Sequence, residues 1–382
     1  MSFNSSRQYS PWVDRRQSKS MMGIVRGFHL DWPLFAGLLV LSVVGLFILY
    51  SASGQDLGTI GRQVLRLTMA FMVMLLIAQI PPHHLEFWTP WVFSLGIVLL
   101  LAVLLFGDVG KGAQRWLDLG LFRFQPSELM KIAVPMMVAW YLSEKAMPPS
   151  FLRILVALSI IVVPVTLIMK QPDLGTSLLV GSAGAIVLLL TGISWWLIGT
   201  AGILMAASAP VAWFYLMHDY QRQRVLTFLS PENDPLGSGY HIIQSKIAIG
   251  SGGIYGKGWL NGTQSQLDFL PERSTDFIFA VFAEEFGLIG ILFLLSIFSY
   301  IVMRGLRIAY QAQDTYTRLL AGSLVLTFLV YVFVNIGMVS GLLPVVGVPL
   351  PLVSYGGTSM VTLMAAFGVL MSIHTHRKLL PS

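Results

Sequence analysis

The run TDFIFAVFAEEFGLIGILFLLSIFSYIV, residues 275–302, decides the fold. The hydrocarbon core of a bilayer asks about 20 consecutive apolar residues of a helix. This run exceeds that length, and its only charged side chains are Asp276, Glu284 and Glu285. It reads as a transmembrane helix that carries acids toward one end. The whole chain shares that character. Of 382 residues, 55% are hydrophobic and 11% charged, against about 25% charged in an ordinary soluble domain, which excludes a soluble enzyme. Lys+Arg 24 against Asp+Glu 18 leaves a net charge of +6. In so apolar a chain that small excess reads as a topology signal and not as nucleic-acid binding. With Cys 0, disulfides and thiolate metal sites are excluded, and the chemistry falls to carboxylates, amines, hydroxyls and imidazoles.

Outward from this run, comparable spans read at 32–53, 64–80, 91–106, 127–142, 152–169, 174–191, 195–217, 319–343 and 351–373. The fold class expected is therefore an all-α polytopic membrane protein of about ten transmembrane helices. A tail (1–31) precedes one transmembrane domain (32–373), and a short tail (374–382) follows it. The first span is too long for a signal peptide and lacks a small-residue cleavage site, so it reads as retained. Arg7, Arg15, Arg16, Lys19, Arg26, Lys145, Arg153, Arg304, Arg307, Arg318, Arg377 and Lys378 all fall on one side if the N-terminus is cytoplasmic. That excess places both termini in the cytoplasm. The long connection 218–274 then lies outside, and its periodic piece around 240–249 is expected to form short amphipathic helices on the outer membrane surface.

Ionisable groups inside spans are costly and so are candidates for function. Glu128 and Lys131, three apart near the outer end of the fourth span, share a helix face. They read either as a self-neutralising packing pair or as a carboxylate and an ammonium facing an outer cavity, the cation meeting an anionic substrate group. Asp276, after Ser274 and Thr275, suits a helix N-cap. The stripe Phe279, Ala280, Ala283 and Gly287 on the same face lets another helix or a lipid tail approach closely, which fits a groove. At 100° per residue Glu285 falls opposite Asp276 and Glu284 a quarter turn away, so both read as structurally buried. Lys111, Arg115, Arg222, Arg224, Lys246, Lys257 and Arg273 are individually a solvated face and together an anion-attracting rim. The glycine cluster 250–258 has no P-loop spacing, and the His 7 show no HExxH, so neither a phosphate loop nor a zincin metal site is supported.

Four motifs, LPERSTDFIFAVFAEEFGLIG (270–290), GAQRWLDLGLFRFQPSELMKIA (112–133), QPDLGTS (171–177) and GLLPVVGVPLPLVSYGGTS (341–359), closely resemble the SEDS family of bacterial cell-wall proteins, its RodA branch more than its FtsW branch. The resemblance runs over nearly all of the chain beyond the N-terminal tail. It implies a ten-helix inner-membrane glycosyltransferase that polymerises lipid II on the outer face during cell elongation and maintenance of rod shape. The partners it implies are a class B penicillin-binding protein, which supplies the transpeptidase, and other proteins of the elongation complex. The family's essential aspartate falls on Asp276, and its fourth-helix Glu and Lys fall on Glu128 and Lys131.

On that basis Asp276 is expected to take the proton of an acceptor 4-hydroxyl as it attacks the anomeric carbon of an α-linked donor. One inverting displacement then gives the β-1,4 bond. Lys131, fixed by Glu128, and Arg115 are expected to hold the pyrophosphates, joined by Lys111, Arg222, Arg224 and Lys246. No cofactor is identified; a divalent cation, Mg or Mn, could assist the leaving group, although no ligand set stands out. A lipid II flippase routed past Glu128, Lys131, Glu284 and Glu285, and a non-catalytic scaffold for the penicillin-binding protein, stay open as rival readings. The outer position of the polar groups favours the enzyme, since a transporter's site belongs near the midplane.

Overall fold

Some helices start where a capping aspartate meets an apolar run. The computed structural model describes residues 29–377 apart from 111–112, 119–122, 146, 218, 234–236, 268 and 271, so Lys111 and most of both tails lie outside the described residues. Helix α1 (Trp32–Ala52) opens at Asp31, whose carboxylate accepts the Leu34 amide at 2.9 Å, with Pro33 in the first turn. Helix α2 (Leu57–Ala78) opens at Asp56 in the same way. There follow α3 (Pro82–Phe106), α4 (Pro126–Ser143), α5 (Phe151–Lys170), α6 (Leu174–Leu190) and α7 (Trp195–Val211), the last running into a π-helical turn. Then come α8 (Asp219–Leu229), α9 (Ser238–Gly252), the one-turn α10 (Thr263–Gln266), α11 (Ile278–Tyr310), α12 (Thr315–Val339) and α13 (Thr358–Thr375). Each expected span falls on one of α1–α7 or α11–α13. Seven of them are long and apolar enough to cross a membrane; the other three expected spans fall on α4, α6 and α7.

Two span bounds are corrected. The tenth span begins at Thr358, not at 351, and the ninth ends at Val339, not at 343. Pro344, Pro349 and Pro351 lack the amide a helix needs, so the segment between folds back as an irregular loop. The connection 107–125 carries structure that the span reading did not address. It holds a small antiparallel sheet, β1 (Asp108–Gly110), β2 (Ala113–Asp118) and β3 (Arg123–Phe124), with Leu117 opposite Phe124. The periodic piece around 240–249 forms α9. It packs against α11 and α12 with Ile242, Ser245 and Ala248 buried, and the Ser245 hydroxyl donates to the Val339 carbonyl at 2.8 Å.

The glycine cluster has a structural task. Helix α11 breaks at Gly287 (φ 60°, ψ −159°), and the loop after α9 docks at the break. The Lys257 and Gly258 amides donate to the Glu284 and Glu285 carbonyls at 3.0 and 2.9 Å, and the Leu288 and Ile289 amides donate to Gly253 and Ile254 at 3.0 and 3.1 Å. In hydrocarbon every backbone polar group needs a partner inside the protein, and the loop supplies those the kink releases. A Cβ on Gly256 would stand 2.1 Å from the Glu285 oxygen, so backbone contact this close requires glycine. The stripe Ala283–Gly287 is therefore filled by α9 and its loop, Gly252 lying against the Ala283 carbonyl, and is not an open groove.

At the other end of α11, Asp31 ties three helices together. Arg304 grips its carboxylate at 3.1 and 2.6 Å, and His374 of α13 lies 2.8 Å away. Burial pushes this carboxyl up, but the bonds from His374, Arg304 and the Leu34 amide outweigh it and hold the group well below the usual carboxylate range.

Candidate active site at the start of α11

One face of α12 joins two of the motifs. Tyr331 and Asn335, four residues apart, sit one above the other, about 6 Å along the axis. On α4 the Lys131 ammonium lies 2.7 Å from the Glu128 carboxylate, with both side chains buried, and 5.3 Å from the centre of the Tyr331 ring. Asn335, fully buried, donates from its amide to the carbonyls of Asp276 at 2.9 Å and of Val348 at 2.7 Å. The α4 ion pair and the Asp276 turn are thus held one helical turn apart on a common strut.

Asp276 belongs to a turn, not to the helix. The Thr275 and Phe277 amides donate to the Glu272 carbonyl at 3.1 and 3.4 Å, and α11 begins at Ile278. Its N-cap is Phe277 and makes no side-chain cap bond, so Asp276 stands one residue ahead of where a capping carboxylate sits. The loop between α12 and α13 closes over this turn. The Ser354 hydroxyl donates to the Thr275 carbonyl at 2.6 Å, and the Tyr355 amide to the Ser274 carbonyl at 2.8 Å. Gly347, at φ +75°, lies against the carboxylate: a Cβ there would be 3.5 Å from Asp276 Oδ2. The Asp276 side chain itself is half-buried.

Further groups frame this mouth. From α2, the Gln63 amide donates to the Ser354 carbonyl at 3.2 Å, and the Arg66 guanidinium sits 4.5 Å over the Tyr355 ring. From α9, His241 stacks on Phe277 with ring centres 5.6 Å apart. Two small cavities of about 20 Å³ each meet at Tyr331 and Leu363, one reaching Lys131 and the other Ser354 and Gly356. Each has room for about one water. On the neighbouring face of α11 an apolar groove of about 580 Å³ opens between α1 and α11, lined by Phe47, Ile48, Tyr255, Phe282, Phe286 and Ile289.

The rim cations expected from sequence are dispersed. Arg115 donates to the carbonyls of Gln171 at 3.3 Å and of Pro172, and lies 3.9 Å from Asp173, so it braces the QPDLGTS turn. Arg222 donates to the carbonyls of Trp213 at 2.8 Å and Phe214 at 3.0 Å, at the end of α7. Arg224 is half-buried on the same α8. Lys246, exposed on α9, lies against Gly341, just past α12: its Cε would be 2.1 Å from a Cβ there. Glu284 and Glu285 are fully buried. Glu284 binds Lys257 at 2.6 Å, and Glu285 accepts from the Ser51 hydroxyl. Among the described residues no three or more His, Asp or Glu side chains are grouped to hold a metal ion.

The sequence reading did not single out Asn335, Tyr331, Gln63, Arg66 or His241. Tyr331 and Asn335 at i, i+4 were the available signal, two hydrogen-bonding groups on one face of an apolar helix.

Comparison with known proteins agrees with this architecture. The family described as Cell cycle protein, whose members include FtsW, RodA and SpoVE, matches residues 31–379. The chain is 60% identical over 352 residues to the peptidoglycan glycosyltransferase MrdB of Escherichia coli K12, covering 92% of this chain and 95% of that protein. Among solved structures it is similar to a chain of a peptidoglycan synthase complex that coordinates polymerization and crosslinking, with a TM-score of 0.79, 31% identity and coverage of 90% and 97%. The Thermus thermophilus rod shape determining protein RodA aligns with a TM-score of 0.69 at 25% identity, over 91% and 98% of the two chains. A helical bundle with its acid at the start of α11, matched by the family over nearly its whole length, belongs to the FtsW/RodA/SpoVE family, the SEDS proteins.

Proposed function

We propose that this chain is a peptidoglycan glycosyltransferase of cell elongation, polymerising lipid II in the inner membrane beside a class B penicillin-binding protein, with both termini cytoplasmic and the Asp276 mouth periplasmic. The observation that carries this reading is the half-buried Asp276 carboxylate in a turn whose backbone is pinned by Asn335, with the buried Lys131–Glu128 pair one turn of α12 away.

The chemistry needs a base for a sugar hydroxyl and positive charge for a departing pyrophosphate. Asp276 takes the proton from the acceptor 4-hydroxyl as that oxygen attacks the donor's anomeric carbon. The bond to the pyrophosphate breaks on the opposite face, so the α-linkage becomes β-1,4 in one displacement. Lys131 is removed from bulk water, where a charge acts more strongly than at a surface, and Glu128 holds it in place. Arg66, over Tyr355 at the mouth, and Lys246, beside Gly341, serve as pyrophosphate cations. Arg115 acts by shaping the 171–173 turn, and Arg222, Arg224 and Lys111 remain candidates for the outer rim. A divalent cation, Mg or Mn, would add charge at the pyrophosphate. The apolar groove beside Phe282 and Phe286 suits a polyprenyl chain entering sideways from the bilayer.

The test is polymerisation of purified lipid II, with the cognate penicillin-binding protein, by wild type and Asp276→Asn. A positioned general base contributes about 10²–10⁴-fold, so the variant should lose polymerisation by that factor while keeping its Tm and its partner. Retained polymerisation rejects the base assignment. Movement of a lipid II probe across liposomes without glycan product would establish the transporter reading instead.

A further inference from the structure

Three consecutive carbonyls at the proposed base are each held by a donor from elsewhere in the chain. The Tyr355 amide binds that of Ser274, the Ser354 hydroxyl that of Thr275 and the Asn335 side-chain amide that of Asp276. Two of these donors sit on one strip, residues 354–356, which lies outside any helix or strand between Pro351 and the start of α13. Just before it, buried Leu352 stands at φ +59°. A bulky side chain takes that left-handed conformation only where its surroundings impose it.

The strip is braced from α2. Gln63, 1% exposed, turns both ends of its carboxamide to it: Nε2 donates to the Ser354 carbonyl at 3.2 Å, and Oε1 accepts the Gly356 amide at 3.4 Å. The strip therefore faces two ways. The Ser354 carbonyl and Gly356 amide meet α2, while the Ser354 hydroxyl and Tyr355 amide meet the Asp276 turn. Backbone groups left without a partner in a membrane protein would by themselves explain a buried glutamine. What α2 carries beside it points further. Arg66, three residues on and so on the same face, lies 4.5 Å over the Tyr355 ring. One face of one helix thus touches both a proposed leaving-group cation and the strip that holds the base.

We infer that Gln63 is a positioning residue for glycosyl transfer, acting through Ser354 and Tyr355 to fix the Asp276 turn relative to Arg66. The inference rests on the function proposed above. In an inverting displacement the base and the leaving group work on opposite sides of the anomeric carbon, so their separation is set before reaction, and an error of about 1 Å can cost about 10²-fold.

Gln63→Met, close in size and without a donor, tests it in the full-length protein with its cognate penicillin-binding protein. In polymerisation of purified lipid II, kcat per folded molecule should fall about tenfold, the worth of one to two hydrogen bonds, with KM within about twofold. Ser354→Ala, which cuts the same line at its other end, should lower kcat to a similar extent. The double variant should fall no further, whereas independent effects would multiply to about a hundredfold. Hydrogen–deuterium exchange, which needs no turnover, should quicken in Gln63→Met across 272–279 and 350–357 and stay at the wild-type level in α4 around Lys131. Wild-type kcat in Gln63→Met, multiplied losses in the double variant, or unchanged exchange at 272–279 overturns the inference. Exchange that quickens in α4 as well makes Gln63 a general brace of the bundle and overturns it too. Absence of glycan from wild type would instead overturn the function proposed above, and the exchange comparison would still report whether Gln63 holds the Asp276 turn.

Discussion

Asp276 and Glu284 are carboxylates two helical turns apart, and the protein holds them in opposite ways. Around Glu284 the bonds go to the side chain: its Oε1 meets the Lys257 ammonium at 2.6 Å, the Thr263 hydroxyl at 3.0 Å and the Gln264 amide at 3.1 Å, and nothing of the residue reaches solvent. Around Asp276 the protein clamps the backbone. Asn335, Ser354 and Tyr355 fix the carbonyls of Asp276, Thr275 and Ser274, and the carboxylate stays half-buried at the mouth. A carboxylate wrapped by the protein's own donors is a fastener for the glycine loop. A carboxylate whose main chain is clamped is held in position at the mouth, which is what a general base requires.

Exchanged phenotypes would break this contrast. Asp276→Asn should remove polymerisation by about 10²–10⁴-fold with no change in Tm. Glu284→Gln should keep polymerisation per folded molecule and cost about 2–3 kcal/mol of stability in thermal or denaturant melts. That is less than a wholly buried pair would lose, because Lys257 still reaches solvent. Gly256→Ala attacks the same dock from the backbone. With φ +79° and a Cβ 2.1 Å from the Glu285 oxygen, it should cost about 2 kcal/mol or more, read as a lowered Tm and less folded protein.

Asn335→Ala sharpens the contrast from the other side. It deletes the bonds to Asp276 and Val348 and touches no proposed reacting atom, so it is a positioning residue. We expect kcat to fall about tenfold, the worth of one to two hydrogen bonds, with KM and the pH profile of kcat little changed. A shifted pH profile would instead give Asn335 a part in the proton transfer.

The smallest effect belongs to the far end. His376 stacks on His29 with ring centres 3.8 Å apart. Burial foremost, then the His29 and His83 charges, hold its imidazole below the ordinary value, against the opposing Ser372 bond. The unfolded chain then binds the proton more readily than the folded one. Stability should be unaffected above about pH 6.5, the ordinary value, and should decline as pH falls through the window down to the depressed one. His376→Asn should flatten that part of the Tm–pH curve while leaving polymerisation untouched.

Much of the fold was legible locally. A helix in hydrocarbon satisfies its own backbone, so long apolar runs announce α1–α7 and α11–α13 without reference to one another. The Glu128–Lys131 contact was legible for the same reason, since i, i+3 neighbours on a helix meet wherever the helix goes. The cap reading of Asp276 failed because the helix start depends on the turn that Glu272, Ser354 and Tyr355 hold, and two of those three come from far along the chain. The placement of the rim cations was not legible: a basic residue in an outer connection says nothing about whether it will brace carbonyls, as Arg115 and Arg222 do, or face the mouth.

The sequence by itself determined a multi-helix membrane protein, the identity of its scarce charges and the family to which its motifs belong, because hydropathy and helical periodicity are properties of consecutive residues. Only the tertiary structure decided that the 340–357 loop would close over Asp276, that Asn335 would carry it above the Lys131 pair, and that the glycine cluster would mend a kink. Those outcomes are close approaches between segments tens to hundreds of residues apart, set by which backbone groups the bundle leaves without a partner.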